Sequence, residues 1–195
     1  AELDFDYYTN TLGYQASIMA RTSTEKLKFL ARGSYATHSD YKYGNNIRVT
    51  NTRFNEKDLK TGIGYQDSKY KADLRYNFNR SLIGIPEEIG VQSESKTPLL
   101  PFQEIDNHIV SLDNKFFFTH SSIDLKVGYQ FNDRKEFEGE SEAGPALNMK
   151  LESLSYNLKY NFPKFGKFET IFGVQGMDQT NSNFGEEILI PDAST

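Results

Sequence analysis

The sequence predicts an all-β chain, an antiparallel meander of about eight strands that forms part of a larger transmembrane β-barrel. Three observations lead there. Apolar and polar residues alternate with period two in one segment after another. Short and long connections take turns along the chain. Aromatic residues gather at the two ends of the apolar faces, with aliphatic residues between them.

The first strand alternates Leu12, Tyr14, Ala16, Ile18 and Ala20 with Gly13, Gln15, Ser17, Met19 and Arg21. The second places Leu27, Phe29, Ala31, Gly33 and Tyr35 on one face, and the third Leu59, Thr61, Ile63 and Tyr65. The fourth, YKADLRYNFN (70–79), is the clearest: Tyr70, Ala72, Leu74, Tyr76 and Phe78 share one face, and Lys71, Asp73, Arg75, Asn77 and Asn79 the other. Val110, Leu112, Asn114, Phe116 and Phe118 mark the fifth, and Ile123, Leu125, Val127, Tyr129 and Phe131 the sixth. Leu154, Tyr156, Leu158 and Tyr160 follow, then Phe168, Thr170, Phe172, Val174 and Gly176. These eight faces carry no charge, and Asn114 is their one amide. A charge at the midplane of a lipid-facing wall costs about 2–4 kcal/mol and one in a dry soluble core is also costly unless paired, so the segregation suits either environment.

Connections sort by end. TSTE (22–25), DSK (67–69), THSS (119–122) and NFPKFG (161–166) are short; the alternate ones, from about His38 to Glu56, Arg80 to Asn107, Asp133 to Leu147 and after Met177, are long. Short turns at one end and long loops at the other are the asymmetry of an outer-membrane barrel. At the short-turn end sit Tyr65, Tyr70, Phe116, Phe118, Tyr160 and Phe168, and toward the long loops Tyr35, Phe78, Tyr129 and Phe131. On this reading Lys71, Asp73, Arg75, Asp124 and Lys126 face the lumen and any plug within it, and the opposite face meets lipid.

Composition narrows the classes. The chain has 195 residues, 37% of them hydrophobic, with a mean hydropathy of −0.64. No segment approaches the roughly 20 apolar residues of a spanning helix, which leaves strands as the means of crossing a membrane. A formal charge of −5 without a basic stripe argues against a nucleic-acid partner. Without cysteine there is no disulfide framework and no thiolate chemistry. The start, AELDFDYYTN, has no basic and then apolar leader, so any export signal is expected to be removed or to lie outside these residues.

With strand 1 running from the long-loop side to a short turn, both ends of the chain fall on the long-loop side. Residues 1–195 are therefore expected to be an interior slice of a larger barrel. Its edges would be paired in the whole protein. The stretches SYATHSDYKYG, TRFNEKDLKTGIGYQ, LRYNFNRSLIGIPEEIG, PFQEIDNHIVSLDNKFFF, FNDRKEFE and KYNFPKFGKFETIFGVQGMDQTNSNFGEEILIPD resemble the middle barrel region of TonB-dependent outer-membrane receptors of Bacteroidetes-type bacteria. The resemblance implies a barrel of about 22 strands, filled by a plug domain and importing a scarce ligand: a ferric siderophore or similar iron complex first, with haem, cobalamin or a glycan as alternatives. It implies outer-membrane lipid, the receptor's own plug, the TonB complex acting through the full-length receptor, and a small extracellular ligand as partners. Plug, signal peptide and C-terminal strands are expected outside these residues.

Candidate chemistry is sparse. His38, His108 and His120 belong to no HxxxH or HExxH arrangement, so no metal site and no cofactor are expected. No Ser-His-Asp order or nucleophile elbow occurs, and the chain is not expected to be an enzyme. The acidic run from Glu136 to Glu142 reads as a solvated loop. Pairs such as Asp73 with Arg75 and Asp124 with Lys126 read as salt-bridge ladders. In HSDYKYGNNIRVTNTRFNE (38–56), Tyr41, Tyr43, Arg48 and Arg53 form the candidate ligand-binding group, joining stacking surfaces to charge-assisted donors. The apolar patches SLIGIPEEIG and PLLPF in 80–107 are expected to form a lid or to pack on neighbouring loops. The alternative architecture, a soluble lipocalin-like binding barrel, would turn the apolar faces inward.

Overall fold

The computed structural model describes residues 1–86, 90, 92–138 and 144–195. Its strands are β1 (Glu2–Tyr8), β2 (Gly13–Ser23), β3 (Leu27–His38), β4 (Phe54–Gln66), β5 (Tyr70–Gly84), β6 (Phe102–Phe117), β7 (Ser122–Phe137), β8 (Leu147–Asn161), β9 (Ile171–Asn183) and β10 (Ala193–Ser194). They form one antiparallel sheet in strict chain order, with β1 and β10 at its two edges. The chain is an all-β meander. The eight expected strands are β2 to β9.

Several details differ from the sequence reading. β1 has its N-terminus toward the short-turn end, so the two ends of the chain do not both lie on the long-loop side, and the last long strand starts at Ile171, which leaves Phe168 and Thr170 in the turn before it. The strands number ten, because ELDFDYY forms β1 and a short β10 returns along β9. The β1–β2 connection (9–12) is short although it lies at the long-loop end; Leu12, taken for the first residue of a strand, sits there at φ 48°. The strands are also longer than their alternating cores. β5 and β6 stay paired as far as Gly84 and Phe102, which reduces the loop between them to residues 85–101.

Register stacks like with like. On the apolar face Ile63, Leu74, Leu112, Val127 and Tyr156 stand in one row, and Tyr65, Ala72, Asn114, Leu125, Leu158 and Val174 in the next. Asn114 is buried in this band and its Oδ1 accepts from the Tyr70 hydroxyl at 2.5 Å, so the lone amide is satisfied. Below, Tyr65, Tyr70 and Phe116 are in aromatic contact. Above, Phe78, His108 and Phe131 form an aromatic row, with the Tyr76 hydroxyl 2.8 Å from His108 Nδ1. Tyr70 and Phe78 are separated by roughly 27 Å along β5 at the usual strand rise. Beyond Phe78 the same face carries Lys57, Arg80, Asp106, Asp133 and Lys150 in one row, with Arg80 forked onto Asp106.

The sheet is one layer thick. Among the described residues the fully buried apolar side chains are Leu147 and Met149, while Ile63, Leu74, Leu154, Leu158 and Val174 stand open. Among those residues no helix is long and apolar enough to cross a membrane.

The short turns close in different ways. At Asp67 the carboxylate accepts the Lys69 and Tyr70 N–H groups at 2.8 Å each. The first of these bonds is the main reason its carboxyl is held below the usual range. Thr24 closes β2–β3 by accepting from the Leu27 N–H through its hydroxyl. The turn from Phe162 to Thr170 is longer and folds its tip by reciprocal bonds between Phe165 and Phe168, with Gly166 at φ 59°.

Candidate ligand-capture site

Where the alternation ends, three connections lock together. Residues 41–49 make a small hairpin: the Val49 N–H donates to the Tyr41 carbonyl and the Tyr43 N–H to the Ile47 carbonyl, both at 3.0 Å. Its tip is a short 3₁₀ turn, Gly44–Asn46. Asn45 and Asn46 take left-handed conformations there, which asparagine tolerates better than most residues.

Asn10, in the β1–β2 turn, holds this hairpin by its backbone. Its amide donates to the Lys42 carbonyl at 2.8 Å and its carbonyl accepts the Lys42 N–H at 2.7 Å. From the other side Gln92 does the same to Arg48, accepting its N–H at 2.7 Å and donating to its carbonyl at 3.1 Å. Asn51, also left-handed at φ 60°, donates toward the carbonyls of Ile85, Leu99 and Pro101 and accepts the Leu99 N–H. A single side chain thus satisfies backbone groups at both ends of the 85–101 loop. These bonds tie the PLLPF backbone to Asn51, while the Leu99 and Leu100 side chains stay exposed. SLIGIPEEIG lies partly outside the described residues.

The predicted ligand group divides in two. Arg53 is 1% exposed and paired with Asp40, itself 0% exposed: Nε lies 3.0 Å from Oδ1 and Nη2 2.5 Å from Oδ2, and the same carboxylate accepts the Arg53 N–H. Arg48, 4% exposed, donates to the Asp40 carbonyl, the Ser39 hydroxyl and the Asn10 backbone carbonyl, and its Nη2 lies 3.5 Å from the Glu94 carboxylate. Both guanidinium groups brace the loop from within. Tyr41 and Tyr43 are 45% and 44% exposed and stand on the outside.

Beneath the hairpin, His38 closes the base. Its ring stacks on Phe54 at 4.5 Å, lies beside Tyr8 at 4.9 Å, and has Nδ1 2.8 Å from the Thr11 hydroxyl. Burial lowers its pKa, and the nearby Lys96 ammonium lowers it further. Gly13 lies directly beneath, where an added Cβ would fall 2.3 Å from the imidazole.

The polar face below carries two further arrangements. Lys71, Lys115 and Asp124 stand in one row, and Asp73, Asp113 and Lys126 in the next. Arg75 reaches Asp73 at 2.5 Å. Asp124 pairs with Lys115 at 3.0 Å and Lys126 with Asp113 at 3.2 Å, so the ladder runs across strands β6 and β7 and not from Asp124 to Lys126. Ser111, Gly128 and Ser155 leave a shallow recess beside it. Closer to the loops a row of short polar groups crosses the sheet: Asp4, Ser17, Ser34, Asp58, Asn79, Asn107 and Asn132. Ser34 and Asn79 both donate to Asp58, and Asn132 to Asn107. These side chains escaped the sequence reading because only register brings them to one level.

The histidines are dispersed: His38 at the loop base, His108 in the upper aromatic row, His120 in the β6–β7 turn. Among the described residues no three His, Asp or Glu side chains converge on a metal position. Glu136 accepts from Gln103 at 2.5 Å, while most of the acidic run after it lies outside the described residues. No protein-family model matches the chain, and no curated protein matches it either.

Proposed function

We propose that the chain is part of the wall and ligand-catching rim of an outer-membrane receptor of the TonB-dependent kind. Its braced loops would gather a small extracellular ligand for import, foremost a ferric siderophore or similar iron complex. The observation that carries this reading is the bare apolar band. A one-layer sheet with an open aliphatic face, bounded by aromatic rows roughly 27 Å apart along the strand, matches a lipid-facing strip about 25 Å tall with interfacial girdles. No second layer among the described residues covers that face. A soluble lipocalin-like barrel would instead enclose it and carry its polar face in water.

The test is assembly of the full-length protein, followed by heat-modifiable gel mobility. Leu74→Arg and Leu125→Arg place a charge in the band at a cost of about 2–4 kcal/mol each and should reduce the folded form strongly, while Arg75→Leu should leave it nearly intact. Equal assembly of all three, or a folded protein soluble without detergent, overturns the reading.

A second ligand class is favoured by a specific observation. The two arginines are withdrawn into the loop scaffold and the exposed groups are Tyr41 and Tyr43, while the polar row nearest the loops is made of hydroxyls, carboxamides and the carboxylates of Asp4 and Asp58. That surface suits a neutral polyhydroxylated ligand, a glycan, which binds by stacking and hydrogen bonds. Binding to the full-length receptor at two ionic strengths separates the classes: an anionic iron complex loses affinity with salt, and a glycan does not.

A further inference from the structure

We infer that the β8–β9 turn, residues 162–170, is a membrane-surface anchor that seats its aromatic side chains in the headgroup layer of a phospholipid leaflet. The inference rests on the barrel reading above and adds a site that the barrel does not require. Two of the four turns at this end are tight and polar, built from Thr24 or from Asp67 and Ser68, and the β6–β7 turn carries a single exposed aromatic, Phe118, beside Thr119 and His120. The fourth carries Phe162, Phe165 and Phe168 with Lys164 and Lys167. Phe165 is 83% and Phe168 73% exposed, beyond the last strand pairing of β8 with β9. A turn that serves only to reverse the chain needs no cluster of aromatic groups, and large apolar side chains held out into water are costly, since each exposed phenylalanine forgoes its free energy of burial.

What covers them is indicated by continuity and charge. Phe162 packs edge-on against Tyr160 at 4.6 Å, and Tyr160 stands in the lower aromatic row with Phe116, Ile123 and Phe172. The turn therefore extends the apolar face downward without a break. The lysines complement it. Lys164 is held by Glu169 at 3.1 Å, and Lys167 lies in the same turn between Phe165 and Phe168. Aromatic rings with an adjacent ammonium match the headgroup layer, where rings sit among the glycerol groups and the cation meets phosphate.

The experiment uses tryptophan, which this chain lacks. Phe165→Trp, Ser68→Trp and Leu125→Trp are each introduced into the whole protein, reconstituted in phosphatidylethanolamine and phosphatidylglycerol vesicles. Emission is compared with the parent protein under aqueous iodide and under lipids brominated near the headgroup or deep in the acyl chain. F165W should be quenched by shallow bromolipid at least about twofold more than S68W and be correspondingly protected from iodide. L125W should respond to the deep bromolipid. If L125W is quenched by lipid while F165W is as open to iodide as S68W, the anchor is overturned and the barrel stands. If F165W is shielded from both iodide and lipid, another protein surface covers the turn, and the lipid assignment is overturned. If L125W meets no lipid, the barrel reading fails and this inference fails with it.

Discussion

From Tyr70 to Phe78, strand β5 alternates cleanly, and its register neighbours repeat the pattern. From Asn79 to Gly84 the same strand continues, still paired on both sides, but its residues no longer sort into an apolar and a polar face. Below Phe78 the two faces meet different surroundings, and every second residue is constrained in kind. Above it the strand ends meet charged rows, water and loops, and particular hydrogen bonds decide the structure: Asn10 on Lys42, Asn51 on three carbonyls, Asp40 on Arg53. The band is held by a rule and the rim by individual contacts, so the band should absorb most conservative changes while the rim fails at single positions.

The largest effect that would sharpen this contrast is expected at Asp40. Asp40→Ala leaves the Arg53 guanidinium buried without its carboxylate, and breaking such a pair costs about 3–5 kcal/mol. Hydrogen exchange should rise sharply across 39–53 and 85–101 while 70–78 keeps its protection. Joint replacement, Asp40→Leu with Arg53→Met, should recover much of that protection, because a buried ion pair replaced by apolar groups of similar volume is often near neutral. Uniform loss of protection along β5 in D40A would show that band and rim unfold as one unit, and the contrast would fall.

A pair of glycines probes it next. At Gly84 an added Cβ would lie 2.4 Å from both the backbone oxygen and the side-chain oxygen of Asn51, so the hub of the rim must shift. At Gly62, inside the banded region, the nearest atoms are 3.8 Å away. Gly84→Ala should destabilise by about 1–3 kcal/mol. Gly62→Ala should be neutral or slightly stabilising, by about 0.4–1 kcal/mol, since alanine restricts the unfolded chain. Denaturant midpoints of the two variants in detergent give the comparison directly. Equal losses would mean that close packing, and not its location at the rim, sets the tolerance.

The same division explains what could be read without coordinates. The alternation of YKADLRYNFN showed strand, face and level together because one face is confined to apolar residues. Neighbouring strands with the same confinement then fell into register. β1 went unread although Leu3, Phe5 and Tyr7 alternate with Asp4, Asp6 and Tyr8, since the segment is short and was weighed only as a possible export leader. The strand extensions beyond Phe78 were taken for loop because no face there demands a residue type. For the candidate site, the loop and its aromatic and cationic residues were legible, but the state of the arginines was not. Whether a guanidinium is exposed or buried depends on a partner such as Asp40, thirteen positions before Arg53, and nothing in local spacing marks that pairing. The amide row from Asp58 to Asn132 was hidden for the same reason, since each member is an unremarkable polar residue until register aligns it.

The smallest expected effect is a pH response confined to the base of the rim. His38 is buried against Phe54 and Tyr8, with the Thr11 hydroxyl on Nδ1 and the Lys96 ammonium nearby, and among the described residues no carboxylate is bonded to its ring. Burial first, and Lys96 second, hold its pKa below the ordinary 6.5, so the folded protein favours the neutral ring. Between the lowered folded value and 6.5 the unfolded state binds more protons than the folded one. Stability from this group is therefore fully present above about pH 6.5 and is lost as the pH falls through that window toward the folded value. Protonation would place a second cation beside Lys96 under the hairpin, so the loss should appear as faster exchange in residues 9–13 and 39–53 between about pH 7 and 5, after correction for the intrinsic pH dependence of exchange. An ordinary carboxylate titrates near pH 4, below that range. His38→Gln removes the titration and should make the corrected profile flat. Residues 70–78 should be flat in both proteins. A response in β5 equal to that of the hairpin, or one that persists in H38Q, would assign the pH dependence to another group and leave His38 a packing residue only.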